Sequence, residues 1–183
     1  MDNIRTKTVL DKFRKRVTKE AKTSLTKKKK NASKELYDSV DSDLKVSPNS
    51  FEMNFYMEDY GKFIDKGVTG KGSSDFKGKK KKVHKSDAGY RFGSGNFKGR
   101  GKEWEKRIDA WMYSRGIQPR NRETGKFVKR KTVNYLIRRS IYQHGTEKTL
   151  FFTKPFNAAF KDLPEDVLKA YGLDVEQFLI STT

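Results

Sequence analysis

Residues 51–58 read FEMNFYME, in which Phe51, Met53, Phe55 and Met57 alternate with Glu52, Asn54, Tyr56 and Glu58. In an extended chain a period of two puts one set of side chains on each face, so the stretch predicts a strand with one buried side. Just upstream, Ser47-Pro48-Asn49-Ser50 is a cluster of turn-forming residues, and Leu36 to Val46 is weakly strand-like. The two segments therefore read as an antiparallel hairpin. A hairpin alone is marginal in water and needs a third strand or a helix to cover its apolar face. The preceding residues supply one: Val9, Leu10, Phe13, Val17, Ala21 and Leu25 recur at three-to-four spacing with Lys and Arg between them. That spacing predicts an amphipathic helix, which should end before Asn31.

Downstream, Gly67, Gly70, Gly72, Gly78, Gly89, Gly93, Gly95, Gly99 and Gly101 punctuate a Lys-rich stretch with neither helical nor strand period. This predicts a long flexible insertion at 66–102, functional or dependent on a partner for its order. Helical spacing resumes at Trp104, Ile108, Trp111 and Met112, stopping near Gly116, and again at Val133, Leu136, Ile137 and Ile141, stopping before Gly145. Asn121 to Gly125 reads as a turn between them. Leu150-Phe151-Phe152, Pro155 and Pro164 suggest short elements, and Val167, Leu168 and Tyr171 a short helix ending before Gly172. The expectation is an α+β fold in one domain, 1–183: a small antiparallel sheet packed by the N-terminal helix and further helices, with the basic insertion emerging from it. The expected core includes Phe13, Val17, Phe51, Phe55, Trp104, Ile108, Trp111 and Ile137.

Composition narrows the function. With 33% hydrophobic and 36% charged residues, the chain can fill a modest core and leaves its loops without burial partners. Lys and Arg number 42 against 23 Asp and Glu, a net charge of +19 that asks for a polyanion or an acidic neighbour. The charge is blocked: +10 over residues 1–34, −6 over 35–65, +15 over 66–131 and zero over 132–183. There is no cysteine, so disulfides, thiolate metal sites and cysteine nucleophiles are excluded. No stretch approaches the roughly 18 apolar residues of a membrane span, and the N-terminus lacks the apolar run of a secretion signal. A soluble protein with no membrane partner is expected.

The candidate contact residues for nucleic acid or a partner are Lys27, Lys28, Lys29 and Lys30 behind the first helix, and Lys77, Lys79, Lys80, Lys81, Lys82, Lys85, Arg91, Lys98 and Arg100 in the insertion. Phe76, Tyr90, Phe92 and Phe97 are interleaved with the latter, a combination suited to phosphate contact with occasional base stacking. The bland readings are a solvated, frayed helix end for the first group and a solvated loop ordered on a protein partner for the second. For catalysis only His84 and His144 are available, neither with an evident partner. Two histidines without cysteines cannot make a common structural zinc site. The acids Asp38, Asp41, Asp43, Glu58, Asp59 and Asp65 lack the spacing of a calcium loop and read as a solvated face or a contact with a basic neighbour. Neither GVTGKGSSD from Gly67 nor Gly93-Ser94-Gly95 completes a nucleotide-binding glycine motif. No cofactor and no enzymatic activity are expected. A nuclease would need a carboxylate cluster around a metal, and no spacing marks one.

The order of a basic helix, ASKELYDSV, a hairpin and YGKFIDKGVTG resembles the neck or tail-completion proteins of tailed bacteriophages, also described as minor tail components or head–tail connectors. Those chains commonly open with G-x-L-x-x-S-I, matched here by Leu36, Ser39 and Val40, and continue with Y-A-x-x-x-E-x-G, matched by Tyr60, Phe63, Asp65 and Gly67. TKPFNAAF, with Pro155, Phe156 and Phe160, is similar to their closing P-F-x-x-P-A but lacks the second Pro. The resemblance implies a virion protein made in the host bacterial cytoplasm, forming a ring with copies of itself. Its neighbours would be portal, adaptor or tail proteins, and double-stranded DNA would pass through the ring. Charge alone also fits a free, non-specific nucleic-acid-binding or packaging protein.

Overall fold

The computed structural model describes residues 3–30, 34–47, 50–72, 83–93 and 101–182. The fold mixes helix with small antiparallel sheets, the α+β class expected. Contacts gather the chain into two compact units, residues 1–61 with 150–183, and residues 62–149.

In the first unit, α1 (Ile4–Lys27) buries Phe13, Val17, Ala21 and Leu25 of the stripe its spacing predicts, leaves Val9 and Leu10 half-buried, and buries Thr6 as well. The hairpin forms from β1 (Asp41–Ser47) and β2 (Ser50–Tyr56), in antiparallel register from Asp41 opposite Tyr56 to Ser47 opposite Ser50. Met53 and Phe55 pack on Phe13, Val17 and Ala159 together with Phe152, Phe156 and Leu163. The rings meet edge to face: Phe13 and Phe55 at 6.4 Å between centroids, Phe13 and Phe156 at 5.7 Å, and Phe55 and Phe152 at 5.4 Å. Such pairs add about 0.5–1.5 kcal/mol each beyond the area they bury.

Two local expectations are corrected here. Residues 35–39 are not strand but a short helix, α2 (Glu35–Ser39). Leu36 within this helix and Val40 just past its end are both buried, 2% and 1% exposed, while Val46 in β1 stays exposed. At the C-terminus the expected short helix is α7 (Leu163–Thr182), 20 residues running straight through Gly172. Gly in a helix interior costs about 1 kcal/mol relative to Ala. The helix continues because Asp174, one turn beyond the stripe the sequence suggests, is buried against the start of α1. Between them, α6 (Thr153–Phe160) holds Pro155 in its first turn, where the missing N–H removes no helical hydrogen bond.

A short helix, α3 (Gly61–Lys66), follows the hairpin, and in the second unit α4 (Lys102–Ser114) and α5 (Arg130–His144) pack together. Asn134 donates to the Glu105 carbonyl at 2.9 Å, and the Arg130 guanidinium donates to the Asp109 carboxylate and carbonyl, each at 2.6 Å. The turn expected at Asn121 to Gly125 is present: the Gly125 N–H donates to the Asn121 carbonyl, and the Asn121 side chain accepts from Glu123 and Thr124. Trp111 is a correction. It is 40% exposed, while Met112 is 1% exposed. At 100° per residue the stripe Trp104–Ile108–Met112 rotates away from Trp111, leaving it on the margin. Trp104 is half-buried and stacks on Phe92 at 6.1 Å. Of the other expected core residues, Phe13 and Val17 are buried and Phe51, Phe55, Ile108 and Ile137 half-buried.

Within the insertion expected at 66–102, the described residues carry regular pairing. Short strands β3 (Val68–Thr69) and β4 (Gly145–Thr146) pair antiparallel, and residues 83–92 run along them. Thr69 donates to the Tyr90 carbonyl at 2.7 Å and accepts from the Phe92 N–H at 2.9 Å, while the His84 N–H donates to the His144 carbonyl at 2.7 Å. The backbones cross so closely that a Cβ on Gly145 would lie 2.2 Å from the Val68 carbonyl oxygen, and one on Gly70 2.2 Å from that of Gln143. Glycine here is a packing requirement, so its density in the sequence signals crossing chains as well as looseness.

Candidate nucleic-acid interface

The basic residues singled out from the sequence divide three ways. Lys27, Lys28, Lys29 and Lys30 end α1 in a formed cap, in contrast to a frayed end: the Lys30 N–H donates to the Leu25 carbonyl and the Lys29 N–H to that of Thr26, both at 3.0 Å. Lys29 adopts φ 53°, the left-handed conformation this Schellman cap needs and glycine usually supplies. The four side chains are exposed, and as cations at a helix C-terminus they suit the dipole. Lys85 and Arg91 belong to the segment paired with β3 in the second unit, both exposed. Lys77, Lys79, Lys80, Lys81, Lys82, Lys98 and Arg100, with Phe76 and Phe97, lie outside the described residues. The interleaved aromatics that are described turn inward: Phe92 is buried between Trp104 and Tyr142, and Tyr90 packs edge-on to Phe63 at 4.8 Å. Both rings pack within the second unit, Phe92 buried and Tyr90 half-buried.

A larger basic feature lies on α1, across the helix from its buried stripe. Lys15, Lys19 and Lys22 recur at i, i+4 and i+7, and with Arg14, Thr18, Thr23, Thr26 and Lys27 they form one wall of a groove of about 720 Å³. Tyr37 of α2 and Asp41 and Ser42 of β1 form the other wall. The walls are tied by Arg14, whose Nη1 donates to the Ser42 carbonyl at 2.8 Å, and by the 3.0 Å hydrogen bond between the Thr18 and Ser42 hydroxyls. Asp11 takes up Arg14 and Lys15 in ion pairs of 2.5 Å, which hold its carboxyl below the ordinary range, the Lys15 contact contributing most. Lys22 rests over the Tyr37 ring at 5.3 Å from its centroid. Among the described residues, Lys19, Lys22 and Lys27 meet no carboxylate. The sequence carried the signal for this row, since the period that marks the apolar stripe, applied to the cations, also marks it.

The histidines stand apart. His144 ends α5 with Nδ1 2.9 Å from the Ser140 carbonyl, and His84 meets it through the backbone. Among the described residues no three His, Asp or Glu side chains converge as a metal site would require, and no described helix is long and apolar enough to cross a membrane. The positions that carry the bacteriophage resemblance are packing and turn positions. Leu36 and Val40 are buried, and the Ser39 hydroxyl donates to the Leu36 carbonyl while accepting the Glu58 N–H. Phe63 meets Tyr90, Gly67 has φ 72° beside Thr146 and Lys148, and Phe156 joins the aromatic cluster. Comparison with known proteins finds no matching family model, curated protein or solved structure.

Proposed function

We propose that this chain is a structural, non-enzymatic subunit of the head–tail connector, or neck, of a tailed bacteriophage. Copies close into a ring around the DNA channel and meet portal, adaptor or tail proteins above and below. The observation that supports this is the segregation of surface character along one small chain. The acids Glu35, Asp38, Asp41, Glu52, Glu58 and Asp59 are exposed on or beside α2 and the hairpin, and the segment 66–131 carries +15. On α7, Leu168, Tyr171, Leu173 and Ile180 are 47–72% exposed. Surfaces that complement one another without matching themselves make head-to-tail contacts, and such contacts close into rings when the rotation permits. A net charge of +19 on each copy is tolerable beside DNA, where phosphates offset the repulsion between subunits.

Light scattering and electron microscopy of the purified protein test this reading. A discrete ring with an open centre, stable in moderate salt without DNA, is the expected result. A monomer that associates only on DNA would overturn it in favour of a free, non-specific nucleic-acid-binding protein.

A further inference from the structure

We infer that the groove between α1 and the α2–β1 wall is a binding site for the phosphodiester backbone of nucleic acid, with Lys19, Lys22 and Lys27 as its phosphate contacts. The inference is distinct from ring assembly, because every described lining residue belongs to one compact unit of one chain.

Three features single out this groove among the basic surfaces. Its cations are in fixed register: from Lys15 to Lys27 they climb a single helix over about 18 Å at 1.5 Å per residue. They therefore face a rod-like polyanion along its length instead of gathering around one point charge. They are also unspent, since Asp11 occupies Arg14 and Lys15 while Lys19, Lys22 and Lys27 have no carboxylate among the described residues. Finally, Lys22 is held in place. The Tyr37 ring beneath its ammonium limits the freedom that a lysine otherwise loses on binding, a cost of up to about 2 kcal/mol. The one acid among the described lining residues, Asp41, accepts the Ser42 N–H at 2.8 Å. The ligand is a nucleic-acid strand read through its phosphates, alone or as part of a duplex, because among the described residues no Asn or Gln lines the groove to pair a donor and an acceptor with a base edge.

The test is fluorescence anisotropy with a labelled 20-base-pair DNA duplex across 50–200 mM NaCl, using the full chain and two triple variants of equal charge. The groove variant is Lys19→Gln with Lys22→Gln and Lys27→Gln. The control carries Lys106→Gln, Lys126→Gln and Lys131→Gln, all exposed positions of the second unit. Each lost phosphate contact lowers the slope of log K against log salt by about 0.9. The groove variant is expected to lose roughly 2.7 from the slope and, with affinities converging at about 1 M salt, roughly 500-fold in affinity near 0.1 M salt. The control is expected to change little. Equal losses in the two variants, or no binding by the native chain, would overturn the site. Acetylation footprinting of the native protein gives a reading independent of how the variants fold: DNA must shield Lys19, Lys22 and Lys27 more than Lys106, and shielding without that preference refutes the groove. Light scattering on the same samples separates the two ideas, since a monomer that shows the slope difference contradicts the ring and keeps the groove.

Discussion

Replacing Asp174 by Ala removes the group that begins α1. The cap position of that helix, Asn3, makes no side-chain cap hydrogen bond, and the carboxylate of Asp174 on α7 takes its place from 168 residues away in sequence. Oδ2 accepts the Thr6 N–H at 3.0 Å and the Thr6 hydroxyl at 2.9 Å, and Oδ1 accepts the Arg5 N–H at 3.2 Å. Thr6 and Asp174 are 1% and 4% exposed, so water cannot replace the lost acceptor at Thr6. Loss of an N-cap costs about 0.5–2 kcal/mol, and a buried donor left unsatisfied about 1–3 kcal/mol. The contributions overlap, and a total of about 3 kcal/mol is expected, lowering the melting temperature by about 6–12 °C at this chain length. Asp174→Asn keeps one acceptor oxygen and should cost about half as much. Burial opposes ionisation of this carboxyl, but the hydrogen bonds from Thr6 and Arg5 outweigh it and hold the pKa below the ordinary value. A group depressed in this way stabilises the fold above the unfolded pKa of about 3.9, and its contribution disappears as pH falls through the folded value. The gap between wild type and Asp174→Asn should therefore be full at pH 7 and shrink below pH 4. Urea unfolding followed by hydrogen exchange in α1 reads this directly. An Asp174→Ala effect under about 0.5 kcal/mol, or a gap to Asp174→Asn that does not narrow with acid, would refute the reasoning.

Other outcomes follow from the same contacts. Gly145→Ala places a methyl 2.2 Å from the Val68 carbonyl at φ 80°, so exchange protection of residues 83–93 should collapse, whereas Gly172→Ala, in open space on a helix, should raise stability by about 1 kcal/mol. Trp111→Ala should cost under about 1 kcal/mol in urea unfolding and Met112→Ala about 2–5 kcal/mol, the reverse of what side-chain size alone suggests. Lys29→Gly relieves a left-handed residue at φ 53° and should stabilise α1 by about 1 kcal/mol, read as a shift in urea midpoint at constant slope.

What the sequence determined by itself is whatever depends on neighbours within a few turns. The strand at 50–56, the stripe of α1, the stop of α4 at Gly116 and the turn at Asn121 all rest on local periodicity or on one residue's backbone freedom, and all are present. The unbroken course of α7 past Gly172 was decided elsewhere, by a carboxylate that finds its donors on the first helix only once both are packed. The pairing of residues 83–93 with β3 was equally out of reach, because glycine spacing is the same for a loose loop and for backbones in contact. The row Lys15, Lys19 and Lys22 was legible as a helical face. Its conversion into a groove depended on Tyr37 and Ser42 arriving as the second wall, and local sequence does not encode which surfaces a folded chain brings opposite each other.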